Sequence, residues 1–487
     1  MKILMISPEL APYAKAGGLG DMVASLSKAL AQMGHEVRIC IPRYGSVNHD
    51  KTWTRYPNSV AVHLDPRRTE FCSVWSAPFA GGATVYFIEY DVFFGSDQIY
   101  GERTDHGHRF GFQTLAALDF CLQDGWTPDI VHAHDWTAGL ASVILNTTRR
   151  HTPVGKAASV FTVHNLQHQG LVNADVLNYL ALPSWLLTPN NLECFGGVNL
   201  LKGALYHSTK ITTVSPTYAH EIQTPQYGFG LDPVLLHRWN DLSGIVNGID
   251  TDEWNPASDK YIPAHYTADD LSGKAQCKTA LQQALGLEQD YGAPIFGIVA
   301  RLYDQKGLDL LSDILPDLLS RARMQIALLG SGERWLEEHF LWLANKFPGK
   351  CGVRIGYDNA LAHLIEAGSD FFLMPSSFEP CGLNQMYSMR YGTLPIVRAT
   401  GGLADTVRPW ITNPAKGTGI LFADATSSAL MDAIHRGLQL YFNYSGDFSQ
   451  LRRNAMACDF SWGTSAKAYE AVYQDAIYTR KGAFFGR

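Results

Sequence analysis

The sequence predicts an α/β protein built from two doubly wound parallel sheets, one in each half of the chain. Short runs that are apolar on both faces recur along it, as strands buried under helices on both sides require. Between them lie stretches in which apolar residues return at helical spacing, and both halves contain such a series. The 487 residues also exceed the roughly 250–300 at which a single core stops growing, so two domains are expected.

The first forty residues read as a βαβ unit. Lys2 to Ser7 is a short apolar strand, followed by a loop through Pro8, Pro12, Gly17 and Gly18. Leu19, Val23, Leu26, Leu30 and Met33 then form one helical stripe, Gly34 ends the helix, and Val37 to Ile41 is the next strand. Further buried strands are expected at Asp129–His132, Ala158–Val163 and Lys210–Val214. The stretch from Asn247 to Gly273, rich in Asp, Asn, Pro and Tyr with weak periodicity, reads as an inter-domain linker. A second series follows: a strand at Ile295–Ala300, a helix at Leu308–Leu319, then strands at Gln325–Leu329, Val353–Ile355, Phe371–Met374 and Leu394–Val397. Alternation of this kind implies parallel sheets. The two halves share one echo, Ala16-Gly-Gly-Leu-Gly-Asp-Met-Val23 and Thr400-Gly-Gly-Leu-Ala-Asp-Thr-Val407. It fits two similar folds as well as reuse of one favourable turn.

Composition excludes several classes. With 46% hydrophobic and 17% charged residues the chain is that of a packed globular enzyme, and a net charge of −7 argues against nucleic-acid or anionic-membrane binding. Eight scattered cysteines without a C-x-x-C pair resemble neither a disulfide framework nor a zinc site, which points to a reducing compartment. The first apolar run, Ile3 to Ile6, is too short for a signal-peptide core, and no stretch is long enough to span a bilayer. With no transit peptide before the first strand, a soluble, cytoplasmic protein is expected.

The loops after strands carry the chemistry. Lys15-Ala-Gly-Gly-Leu-Gly-Asp21 lies between a strand and a helix, where glycines admit a ligand close to backbone N–H groups and Lys15 suits a phosphate. It matches neither a P-loop nor a G-x-G-x-x-G fingerprint, and spacing alone fits an unliganded turn equally well. Arg301 and Lys306 read as two cations on one short loop, able to neutralise a diphosphate without a metal. Ser377-Phe-Glu-Pro-Cys-Gly-Leu-Asn384 follows an apolar strand and opens a helix. Glu379 there suits sugar hydroxyls, and the N–H groups of Cys381 to Asn384 suit a phosphate; a plain N-terminal helix acid is the competing reading. Cys381 has no base nearby in sequence and is not expected to be a nucleophile. His132-Ala-His-Asp-Trp136 and His164-Asn165 end two strands. His132 and His134 share one side, which keeps a metal hydrolase open beside a sugar site with Trp136 as its apolar face. Gly330-Ser-Gly-Glu-Arg-Trp335 reads as a structural turn.

In order along the chain, these segments resemble glycosyltransferase family 5, the bacterial glycogen synthases and plant starch synthases, from Met1 to about Tyr473. The motifs are Lys15-Ala-Gly-Gly-Leu, His132-Ala-His-Asp-Trp, Thr162-Val-His-Asn-Leu, Val214-Ser-Pro-Thr-Tyr, Val246-Asn-Gly-Ile-Asp, Arg301-Leu-x3-Lys306-Gly, Phe378-Glu-Pro-Cys-Gly-Leu and Thr400-Gly-Gly-Leu-Ala-Asp-Thr-Val. The resemblance implies a GT-B fold, with Rossmann-like domains over residues 1–250 and 251–462 facing a deep cleft, and a helix over 463–487 returning to the first domain. It implies retaining, metal-independent and cofactor-free transfer of glucose from ADP-glucose to the non-reducing 4-hydroxyl of an α-1,4-glucan. Lys15, Arg301 and Lys306 would stabilise the departing diphosphate. Glu379 would position the donor glucose with Cys381, Gly382 and Leu383. Asp135, His164, Asn165 and Asn247 would surround the reacting sugar, and Glu9, Gly17, Gly18, Asp21, Tyr100, Tyr357 and Asn384 would line the donor site. A UDP-glucose-using synthase and an inactive glucan-binding paralogue are the alternatives. The chain departs from the family at Thr137, where His is common, and at Asn384, where Thr is commoner. Related retaining transferases carry a second Glu where this chain, like bacterial glycogen synthases, has another residue, here Tyr387.

Overall fold

The structure, a computed structural model, describes residues 1–65, 67–411 and 414–485. The chain divides into two units, Met1–Gly248 with Trp462–Arg487, and Ile249–Ser461. Gly486 and Arg487 of the expected C-terminal helix lie outside the described residues.

The strands of the first unit are β1 (Lys2–Ile6), β2 (Glu36–Pro42), β3 (Thr54–Arg55), β4 (Val60–Asp65), β5 (Arg68–Pro78), β6 (Thr84–Glu89), β7 (Ile130–His134), β8 (Ala158–Val163), β9 (Leu171–Val172), β10 (Glu193–Cys194), β11 (Gly197–Asn199), β12 (Lys210–Thr213) and β13 (Leu242–Gly244). The main sheet runs β13-β12-β8-β7-β1-β2-β6-β5-β3, with β4 paired to β5. Its pairs from β13 to β6 are parallel, and β3, β4 and β5 extend it antiparallel. Every residue of β7 and β8 is buried, as expected for central parallel strands. The helix Gly18–Gln32 buries Leu19, Met22, Val23, Leu26 and Leu30. Strands β9, β10 and β11 form a separate small antiparallel sheet.

The C-terminal helix, Trp462–Phe485, belongs to the first unit. Tyr469 and Tyr473 are fully buried on it, and Arg480 donates to Asn146 Oδ1 (2.6 Å) and to the Gly155 carbonyl (2.7 Å). Among the described residues no helix is long and apolar enough to cross a membrane.

The second unit has β14 (Ile295–Leu302), β15 (Gln325–Gly332), β16 (Cys351–Ile355), β17 (Phe371–Met374), β18 (Leu394–Arg398) and β19 (Ile420–Phe422), all parallel in the order β16-β15-β14-β17-β18-β19. The segment expected to be a linker is packed instead from Ile249 onward. Ile262 and Tyr266 share a core cluster with Cys277, Ala367, Tyr391 and Met456. Asp259 is enclosed, accepting from Tyr391 Oη (2.6 Å) and lying 2.8 Å from His363 Nδ1. Trp254 is sandwiched between His363 and Tyr387, each centroid 3.8 Å away. The composition of this segment is that of a linker, yet its few large apolar residues are spent as anchors, which a periodicity test does not register.

Candidate active site

Each sheet has one place where strand order reverses. In the first unit β1 leads to β2 and β6 on one side, while β7 leads to β8, β12 and β13 on the other, so the reversal lies between β1 and β7. In the second it lies between β14 and β17. Connections diverge there and leave a crevice outside the carboxyl ends of the strands, where open α/β sheets take their ligands. Glu9, Lys15 and Asp135 follow β1 and β7, and Lys306 and Glu379 follow β14 and β17, whereas His164, Asn165, Asn247 and Tyr357 follow strands further from the reversal points.

After β1 the chain makes a tight loop, with Leu10 and Ala14 exchanging backbone hydrogen bonds of 2.8 and 2.9 Å. Glu9, 2% exposed, faces inward. Its Oε2 accepts from the backbone N–H of Ala16 (2.7 Å) and Gly17 (3.0 Å), and its Oε1 from Tyr100 Oη (2.7 Å). Glu9 and Tyr100 are therefore spent on shaping the glycine loop. Burial and Glu9 together push the Tyr100 phenol well above its ordinary range, so it stays a donor. Gly17 precedes the helix that begins at Gly18, and a Cβ on Gly17 would meet nothing within 4 Å. Lys15 Nζ pairs with Asp21 Oδ2, in the first helical turn, at 2.7 Å, with the lysine side chain 46% exposed.

At the end of β7, Asp135 takes φ +56°, a conformation costly for a non-glycine residue and frequent at functional sites. Its Oδ1 accepts from the His164 N–H (2.7 Å), and the Asn165 N–H donates to the same carboxylate. Burial nonetheless raises Asp135 to about 7. His164 Nε2 lies 3.1 Å from His134 Nδ1, and burial holds His164 down to about 3, leaving it neutral at pH 7. Asn165 Oδ1 accepts from the Gln167 N–H (3.0 Å), shaping the loop after β8. Asn247, 8% exposed, has its Oδ1 enclosed without a partner among the described residues.

The metal reading of His132 and His134 does not survive. The His132 ring is fully buried, with Nδ1 2.8 Å from Tyr473 Oη and Nε2 2.6 Å from Thr162 Oγ1. Both nitrogens face protein hydroxyls, which leaves no lone pair for a shared cation. Thr137 is also turned inward, its hydroxyl 3.4 Å from the His134 carbonyl.

In the second unit Arg301 and Lys306 do not share a loop. Arg301 is exposed on β14 itself, paired in register with Ser331, and Lys306 ends the short turn Asp304–Lys306. Lys306 Nζ lies 2.6 Å from Glu379 Oε2, which also accepts from Ser376 Oγ at 3.2 Å. Glu379 is not a helix-end acid, because the next helix begins only at Asn384. Two further contacts stitch the turn to the carboxylate loop. The Ser377 N–H donates to the Gln305 carbonyl (2.9 Å), and Gln305 Nε2 to the Phe378 carbonyl (3.3 Å). Cys381 is buried, Gly382 takes φ +70°, and Leu383 caps the helix. Asn384 points away from this surface, its Nδ2 donating to the Val299 carbonyl of β14 at 2.6 Å. Tyr357, after β16, is 86% exposed, and its Oη donates to Asn359 Oδ1 at 3.2 Å.

Sequence reasoning missed Arg398. Buried at the end of β18, it donates through Nε to the Ser376 carbonyl (2.7 Å) and through Nη2 to the Ser377 carbonyl, bracing the loop that carries Glu379. An arginine closing the apolar strand Leu394–Arg398 was the available signal, since that strand end lies on the ligand-binding edge. His134, read from sequence as a metal ligand or part of a sugar site, instead buttresses His164.

A family model described as the starch synthase catalytic domain matches residues 2–237, and one described as glycosyl transferases group 1 matches residues 286–453. The chain is 43% identical over 489 residues to glycogen synthase 1 of Geobacter metallireducens, covering 99% of this chain and 97% of that one. It is 46% identical over 483 residues to the glycogen synthase of Myxococcus xanthus, covering 98% and 100%. The catalytic domain of starch synthase IV from Arabidopsis thaliana, solved with ADP and acarbose, is similar at a TM-score of 0.89 and 36% identity over 98% of this chain and 99% of that one. A sucrose-phosphate synthase from Thermosynechococcus elongatus shares the fold alone, at 18% identity and a TM-score of 0.59. The fold is GT-B, with two Rossmann-like units.

Proposed function

This chain belongs to the glycogen and starch synthase family of glycosyltransferases, and from that premise we propose that it transfers glucose from ADP-glucose to the non-reducing 4-hydroxyl of an α-1,4-glucan. The transfer retains configuration and uses no metal ion. The observation that carries the reading is the Lys306–Glu379 pair, 2.6 Å apart at the reversal point of the second sheet, where Arg301 stands on β14. As the bond between the sugar and the diphosphate breaks, negative charge grows on the leaving group and positive charge on the ring. Arg301 and Lys306 meet the negative charge as pre-placed cations, and Lys15 is a further cation suited to it. Glu379 takes donor hydroxyls while fixing Lys306. The backbone of Cys381, Gly382 and Leu383 borders the donor, and Tyr357 offers an exposed ring to the base.

On the first unit, an ionised Asp135 stabilises the positive ring, with His164, Asn165 and Asn247 around the sugar. Glu9 and Tyr100 act through the loop of Gly17, Gly18 and Asp21. The ADP bound to the Arabidopsis relative supports an adenine donor. The eight cysteines, all free, support a cytoplasmic setting.

The test is a donor panel of ADP-, UDP- and GDP-glucose with a glucan primer, measuring released nucleotide. ADP-glucose is expected to be used fastest, with full activity in EDTA. Preference for UDP-glucose overturns the donor, absence of transfer overturns the enzyme, and activity lost to chelation and restored by zinc overturns the metal-free mechanism.

A further inference from the structure

Arg109, on the helix His106–Gln123, is fully buried, yet its guanidinium donates to backbone carbonyls rather than to a carboxylate. Nε reaches the Phe93 carbonyl (2.8 Å), Nη1 that of Ile99 (2.6 Å) and Nη2 that of Gln98 (2.8 Å). The group lies 5.5 Å from the centroid of the Tyr44 ring, 5.2 Å from Phe94 and 5.0 Å from Phe110. Burying a charge in such surroundings is costly, and burial pulls this guanidinium below its ordinary range. What the cost secures is the shape of a segment without a ladder of its own, since residues 95–105 form neither helix nor strand. A planar fork can meet three carbonyls at once, as a lysine ammonium cannot.

Both elements that Arg109 grips lead to Glu9. The residue after Ile99 is Tyr100, whose Oη donates to Glu9 Oε1 at 2.7 Å. The Tyr44 ring against the guanidinium carries an Oη that donates to the Pro8 carbonyl at 2.9 Å, one residue before Glu9. With Tyr100 on one carboxylate oxygen, the other is aimed at the glycine loop, where it accepts from the Ala16 and Gly17 N–H groups. Two routes from one cation therefore meet at the carboxylate that pins the loop. Being wholly enclosed, Arg109 cannot touch a ligand and acts only through these neighbours.

We propose that Arg109 is a positioning residue for glucosyl transfer, holding the loop Lys15–Asp21, through Tyr100 and Glu9, in the form that receives the donor diphosphate. The proposal rests on the reading above that brings this loop to the donor. A loop freed of these bonds samples other forms, so the donor loses affinity and alignment together. The acceptor glucan, which the loop does not bind in that reading, keeps its affinity.

The test is a double-mutant cycle of Arg109→Lys and Tyr100→Phe. Each single variant should lower kcat/KM for ADP-glucose roughly 10- to 100-fold, while KM for glycogen stays within about twofold. The double variant should lose little more than the worse single one, because the second change cuts a chain already cut. Losses that multiply overturn the relay, as does an equal rise in the glycogen KM. Hydrogen exchange at Ala16 and Gly17, read by mass spectrometry, follows the loop without turnover. Both variants should speed it roughly 3- to 10-fold, up to the scale of one lost hydrogen bond. Unchanged exchange overturns the relay even if transfer falls. Faster exchange with unchanged donor kinetics supports the relay and sinks only the donor reading of the loop. Where Arg109→Lys does not fold, Arg109→Gln takes its place in the cycle. If neither folds, Arg109 serves the fold alone and the proposal is overturned.

Discussion

The pattern Gly-Gly-Leu-x-Asp-x-Val occurs at Gly17–Val23 and at Gly401–Val407, and the two copies have opposite surroundings. Both lie where a helix starts, Gly18–Gln32 in one unit and Gly401–Thr406 in the other. Around Gly17 there is open space, with half-exposed Lys15 close by in the loop. Around Gly401 and Gly402 there is backbone. A Cβ on Gly401 would collide with the Glu379 carbonyl, and one on Gly402 would stand 2.6 Å from Cys381 Cα. The Gly402 N–H also donates to the Glu379 (3.2 Å) and Pro380 (3.1 Å) carbonyls. The first copy thus leaves open space beside Gly17, whose N–H is held by Glu9. The second lets one loop rest on another, and the chemistry there passes to the side chains of the loop it supports. One motif serves two purposes, and what decides is which atoms occupy the space a side chain would take.

The largest expected effect tests the side-chain half of this contrast. Lys306→Ala should lower kcat about 10²–10³-fold, the scale for losing one pre-placed charge-stabilising group. Lys15→Ala should cost less, because Lys15 is more exposed and paired with Asp21. Steady-state kinetics on both variants, with circular dichroism to verify folding, checks the order. A greater loss at Lys15 would reverse the assignment.

Next come the glycines themselves. Gly402→Ala should destabilise the protein by about 3 kcal/mol or more, since the colliding atoms are backbone. Gly17→Ala should change stability by less than about 0.5 kcal/mol, so any lost activity reflects the ligand. Thermal unfolding of the pair decides. Equal tolerance would mean that the second loop can move aside.

A third prediction concerns Asp135 of the first unit, a carboxylate whose proton burial holds up to about neutral pH. Asp135 sits at about 7 when folded, against about 3.9 for a free Asp. The folded state binds the extra proton between these values, so this group's contribution to stability is full below about pH 4 and is lost as the pH rises through 7. Asp135→Asn should therefore leave the melting temperature unchanged at pH 4 and raise it by a few degrees (~2–4 °C) at pH 8. A catalytic role for the ionised form also predicts that kcat/KM of the parent climbs through about pH 7 and that the variant lacks the step. An equal gain at both pH values would mean that Asp135 is not titrating.

Sequence made much of this legible, for identifiable reasons. The central strands are buried on both faces and so announce themselves as apolar runs, and His132, His164 and Glu379 follow directly from where such runs end. Antiparallel β3–β5 and the small sheet of β9–β11 are short or half-exposed, and leave no comparable trace. The segment after Asn247 reads as a linker because turn-forming residues dominate it, while Trp254, Asp259 and Tyr266 do their anchoring singly. Side-chain direction was the least legible level. Glu9 and Asn384 have the chemistry of ligand contacts, yet their bonds run into the scaffold.

Asn384 gives the smallest effect and the finest test of the contrast. In the first unit the helix-start motif is open; in the second even the polar residue that begins the helix Asn384–Arg390 is turned into the sheet, to the Val299 carbonyl at 2.6 Å. Thr, the commoner residue in the family, is too short to follow the same path. Asn384→Thr should cost about 1 kcal/mol, the net value of one hydrogen bond, without leaving a buried charge. Because the carboxamide faces β14, the ratio of kcat/KM for ADP-glucose over UDP-glucose should change by less than about twofold. A tenfold change in that ratio would mean that the carboxamide leaves Val299 when donor binds. The second unit would then present backbone and side chain together to the nucleotide, and its difference from the first would narrow to the packed glycines.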